Sequence, residues 1–161
     1  MLTHERLLSY EPYKGVSVRK LSVHDVIDLY RVRKVIECGA VSAAGDDVDL
    51  DRVAAAVAEG ERAESDADWQ GVGTANIHFH QSLVALAGSP RLVDLMRGIL
   101  AELRLVFHVM TDARFHQPYL TGNRDILALL RAGDRTAAVE SLRDYLDIAE
   151  RQLVEEFTRA G

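Results

Sequence analysis

Apolar residues recur along most of this chain at intervals of three and four, the spacing that builds one buried face on an α-helix. Ser22 caps a first helix, with Asp25 in the acidic position of a capping box. Its stripe runs through Val26, Leu29, Tyr30, Arg33, Ile36, Glu37 and Ala40 until Gly45 and two aspartates stop it. A second helix starts at Asp49, passes Val53, Ala56 and Val57, and ends in the polar run 64–68. A third spans about Trp69 to Ala87. Gly88-Ser89-Pro90 then reads as helix end, N-cap and first-turn proline. The fourth helix carries Leu92, Leu95, Met96, Ile99, Leu103, Val106 and Phe107. Pro118 and Gly122 predict a break before a short fifth helix holding Ile126, Leu127 and Leu130. Gly133-Asp134 is another stop and start, and a last helix carries Leu142, Tyr145, Leu146, Ala149, Leu153 and Phe157.

Residues 1–20 follow another rule. Gly15-Val16-Ser17-Val18 alternates like a short strand, for which the rest of the chain offers no partner. The expected architecture is therefore all-α, a six-helix antiparallel bundle over residues 21–161, preceded by a strand-like remnant in 1–20.

Several polar residues lie on stripes that ought to be apolar. Asn76 and His80 stand one turn apart on the face of Val72, Phe79 and Leu83. Arg33 interrupts the first stripe, Asn123 precedes Ile126 by one turn, and Tyr145 shares a face with Leu142 and Ala149. Left without partners, such groups would cost roughly 1–3 kcal/mol each when buried. They could satisfy one another, with Arg33 pairing Glu37 at i+4. They could hold a metal, although Asn76 is a weak ligand and His78 points elsewhere on a helix. They could also line a pocket in which Arg33 takes a carboxylate and the neutral groups take hydroxyls or carbonyls. Arg104 and His108, an i, i+4 pair on the fourth helix, are further candidates for that lining, or else solvated or interfacial, as is His116.

Composition narrows the choice. With a net charge of −6 the chain by itself is a poor phosphate binder. One cysteine, Cys38, cannot close an internal disulfide, and no apolar run is long enough for a membrane helix, so a cytoplasmic location is expected. Lysine is confined to positions 14, 20 and 34, leaving arginine as the main cation. An enzyme using His80 as general base is disfavoured, since no acid at i±4 orients that ring and no nucleophile motif is present.

The segment Asp28-Leu29-Tyr30-Arg31-Val32-Arg33-Lys34-Val35-Ile36-Glu37 resembles the opening of the FCD domain, the effector-binding half of FadR-type regulators of the GntR family. Asn76-Ile77-His78-Phe79-His80-Gln81-Ser82-Leu83, followed by Gly88-Ser89-Pro90-Arg91-Leu92, is similar to a second signature of that domain. Ile126 to Asp134, with Ala137-Ala138 beyond, resembles a third. Six helices favour the VanR-like branch over the seven-helix one. Gly15 to Ser22 is similar to the wing and linker that end an N-terminal winged helix-turn-helix. The resemblance thus implies a homodimeric transcription regulator's sensor domain that binds a carboxylate effector and touches DNA only through a missing N-terminal domain. A head-less module that modulates a full-length partner is the alternative. Many relatives hold a divalent metal at positions that fall here on Asn76, His80, Asn123 and Tyr145. The loss of two imidazoles implies a metal-free pocket with no cofactor, in which Arg33 is the main anion anchor.

Overall fold

The computed structural model describes residues 8–11, 15–18, 21–107 and 113–160. Strand β1 (Leu8–Glu11) and strand β2 (Gly15–Val18) pair antiparallel, with Leu8 opposite Val18 and Glu11 opposite Gly15. The strand expected to be an orphan therefore has a partner. Leu8-Ser9-Tyr10-Glu11 carries the same alternation.

Six helices follow, as the apolar spacing predicts: α1 (Val23–Ala43), α2 (Asp51–Ser65), α3 (Trp69–Ala85), α4 (Pro90–Phe107), α5 (Ala113–Arg131) and α6 (Arg135–Ala160). Their ends obey local chemistry. The Ser22 hydroxyl accepts from the Asp25 amide while the Asp25 carboxylate accepts from the Ser22 amide, closing the capping box. Asp68 accepts from the Gly71 amide at the head of α3, and Asp134 accepts from the Ala137 amide at the head of α6. Gly88 and Gly133 end their helices at φ of 66° and 74°, where a side chain would be strained. Asp49 lies just outside α2, its carboxylate accepting from the Asp51 amide, so that helix starts two residues later than expected.

Helix α5 departs most from expectation, running unbroken through Pro118 and Gly122. Pro118 is exposed, and its missing N–H deprives only one carbonyl of a partner. Phe115, Tyr119, Leu120, Ile126 and Leu127 all point into the core from the same helix, and that burial outweighs the local penalty. Gly122 proves to be a site of close packing, described below.

The core sits where α3 meets α1, α2, α4 and α5, while α6 packs on α1 and α5. Leu83, Met96, Leu103, Ile126 and Leu146 are fully enclosed, each contributing roughly 1.5–3 kcal/mol of burial. Among the described residues no helix is long and apolar enough to cross a membrane.

Candidate functional site

Within this apolar core lies a continuous polar chain. Arg33 and Glu37, one turn apart on α1, are 2% and 0% exposed, and the Arg33 Nε–H donates to Glu37 Oε1 at 2.7 Å. The other oxygen of Glu37 meets His80 Nδ1 on α3 at 2.5 Å. His80 Nε2 lies 3.2 Å from the Tyr145 hydroxyl on α6, and that hydroxyl donates to Asn76 Oδ1 at 2.8 Å. Asn123 on α5 donates its amide to the same Asn76 oxygen at 2.9 Å. Four helices thus contribute to one network. The five residues singled out by sequence, Arg33, Asn76, His80, Asn123 and Tyr145, are all members of it.

Electrostatics set the protonation of the chain. Burial works to raise the Glu37 carboxyl, but the Arg33 charge and the hydrogen bonds from His80 and Arg33 outweigh it and hold the group below the usual carboxylate range. For His80, burial is the largest influence and Arg33 adds to it, so the ring is pushed down despite Glu37. Burial lifts the Tyr145 phenol well above its ordinary value and Tyr30 up to about 12. At neutral pH the cluster is an Arg⁺–Glu⁻ pair beside a neutral imidazole and a neutral phenol. The imidazole donates from Nδ1 to Glu37, which leaves Nε2 as an acceptor facing Tyr145.

Among the described residues two buried atoms in the cluster have no hydrogen-bond partner: Arg33 Nη2, a charged donor, and Asn123 Oδ1, an acceptor. Arg33 also borders a cavity with Tyr30, Gly73, Asn76, Tyr119 and Tyr145, of about 10 Å³, room for one water molecule. The guanidinium carbon stands 4.9 Å from the Tyr30 ring centre, a cation–π contact that helps to hold the head in place. His80 and Asn123 stand behind this lining and act on it through Tyr145 and Asn76.

Other candidates fall elsewhere. Arg104 is exposed and donates to the Thr74 hydroxyl at 3.3 Å, on a surface groove with Trp69 and Gln70. Helix α4 turns Met96, Leu100 and Leu103 inward, which leaves Arg104 at the edge of that stripe, outside the cluster. His108 lies outside the described residues. His116, read from sequence as solvated or interfacial, is instead buried and lines both the cavity and the Trp69 groove. The unbroken α5 explains this, since it places His116 on the same face as Tyr119, Leu120 and Asn123. Glu37 is the other residue whose role sequence missed. No acid one turn away on α3 orients His80; the acid comes from α1, 43 positions earlier in the chain.

The residues present do not fit a divalent cation. His80 is the one strong ligand of the four positions, and the Tyr145 hydroxyl stands 3.2 Å from its second nitrogen, where a cation would have to sit. Among the described residues no three His, Cys, Asp or Glu side chains are grouped to hold a metal.

Comparison with known proteins places the molecule. The FCD domain model matches residues 28–148. A protein of Rhodococcus sp. RHA1 classed as a GntR transcriptional regulator is 45% identical, over 96% of this chain and 75% of its own, with a TM-score of 0.90. A GntR-family regulator from Pseudomonas syringae pv. tomato is 26% identical over 98% of this chain and 68% of its own, with a TM-score of 0.68. Lar, which controls the agr system of Listeria monocytogenes, shares the fold at 18% identity, covering 99% of this chain and 76% of its own, with a TM-score of 0.77. Among curated protein sequences none matches significantly.

Proposed function

Because this chain belongs to the FCD domain family, whose members are transcriptional regulators and not enzymes, we propose that it binds a small carboxylate at Arg33 and passes that event to a second copy of itself. The observation that carries this reading is the unpartnered Nη2 of a fully buried arginine that borders a cavity. A carboxylate there would accept from Nη2. Leaving a charged donor unsatisfied is costly, and a ligand that relieves the cost gains affinity from it.

The cavity admits a water molecule and no carboxylate, so binding must widen it. That requirement supplies the signal. A ligand shifts the arrangement of the helices only by as much as it prefers the widened form, and the shift is read where two protomers meet. DNA enters through an N-terminal winged helix beyond this chain, of which β1 and β2 are the wing and 19–22 the linker. A two-stranded hairpin just ahead of the capped start of α1 supports that assignment.

Thermal unfolding in millimolar panels of hydroxy acids, dicarboxylates and aromatic acids tests the site. At least one acid should raise the melting temperature of the native protein. The Arg33→Ala variant should lose that rise, and so should Arg33→Lys, which keeps a cation beside Glu37 but offers no second nitrogen. A rise retained in both variants removes Arg33 from the site. Light scattering with and without the acid reports the dimer.

A further inference from the structure

Tyr145 occupies the point on which the polar side chains of this site converge. Its hydroxyl lies 2.8 Å from Asn76 Oδ1 and 3.2 Å from His80 Nε2, and Asn123 reaches it through the shared Asn76 oxygen. The ring is wedged in place. A β-carbon at Gly122 would stand 2.7 Å from Tyr145 Cδ2, so only glycine lets α5 approach the ring this closely. On its other sides the ring meets His80 and Tyr119, with centroids 5.2 Å and 5.3 Å away. His80 itself is fixed by Glu37.

A divalent cation needs lone pairs aimed at one empty point. Here the lone pairs of Asn76 and His80 are aimed at one point, and a phenol oxygen stands in it. The phenol has one proton for two acceptors. It donates to one of them at a time, here to Asn76, and its oxygen fills the point where a cation would sit, with no charge of its own.

We propose that the Tyr145 hydroxyl is a built-in replacement for a cation: it organises Asn76, His80 and Asn123, its ring bars a metal ion from the centre, and Arg33 supplies positive charge to the effector. The part concerning Arg33 rests on the sensor reading given above. The part concerning the metal stands on the geometry of Tyr145 and is tested with no effector present.

Cobalt(II) is the probe, because its visible absorption reports coordination directly. Equimolar Co²⁺ should give the native protein no coordination band. The Asn123→His/Tyr145→His variant removes the ring and returns two imidazoles to His80. It should bind one equivalent about 100-fold more tightly than the native protein, and should lose it again on adding His80→Ala. Asn123→His alone keeps the ring and should bind no better than the native chain. Uptake of one equivalent by the native protein that depends on His80 overturns the proposal. So does tight binding by Asn123→His alone, which would show that the ring bars nothing. A double variant that is folded by circular dichroism yet takes up no Co²⁺ overturns it as well. Should the double variant not fold, the Tyr145→His single variant is scored by the same two outcomes. Failure here leaves the thermal-shift result with acids untouched, so the two readings fall separately.

Discussion

Two arginines of this molecule make the same kind of bond in opposite surroundings. Arg124, 40% exposed, bridges α5 to α2 through Glu61 at 2.7 Å and Glu64 at 3.1 Å. Arg33, 2% exposed, has one carboxylate, Glu37, at 2.7 Å. The exposed pair lies in water, which screens it and solvates whatever the carboxylates leave unpaired. The buried pair has no such reserve. Every hydrogen on its guanidinium must be met by protein, by a trapped water or by a ligand. By bond length the two are alike, yet one is a surface clamp and the other a fully buried pair with a donor atom to spare.

The sharpest way to break this contrast is to remove Glu37. Glu37→Ala leaves Arg33 as an uncompensated buried charge and takes away the anchor of His80, and should cost about 3–5 kcal/mol by urea unfolding. A loss below 1 kcal/mol would mean that water reaches Arg33 and that the two arginines are not different in kind. Acid gives a graded version of the same test. The folded pKa of His80 lies below its ordinary value of 6.5, so the unfolded chain takes up that proton first as pH falls. Stability from this residue is complete above about pH 6.5 and drains away below it. The depressed Glu37 carboxyl adds a second loss at lower pH, as it is protonated in turn. Melting temperature followed from pH 8 to pH 4 should be level, then fall in two stages, and His80→Gln should erase the first. Smallest is the effect of Arg124→Ala, roughly 0.2–1 kcal/mol and shrinking further in molar salt. A salt-insensitive loss of several kcal/mol would place Arg124 among the buried charges.

Much of the frame was legible from sequence because helix ends and helix faces depend on near neighbours. The Ser22–Asp25 box, Gly88-Ser89-Pro90 and Gly133-Asp134 each mark a boundary through atoms within four residues of one another. The five polar residues could be suspected because each interrupts an apolar stripe, and the structure joins them in one network. What periodicity does not report is which faces oppose. It missed that Leu8–Glu11 pairs with Gly15–Val18, and it took Pro118 and Gly122 for a break because it weighed only their local cost.

By itself, then, the amino-acid sequence determined six helices, their caps, and a set of polar side chains turned towards the core, since all of these follow from contacts three or four residues apart. Tertiary structure alone decided that Glu37 orients His80 from another helix, that His116 lines the cavity, and that Gly122 makes room for Tyr145. Those contacts join residues 23 or more positions apart, and no local period carries information over that distance. Only the packing of whole helices brings such side chains within bonding reach.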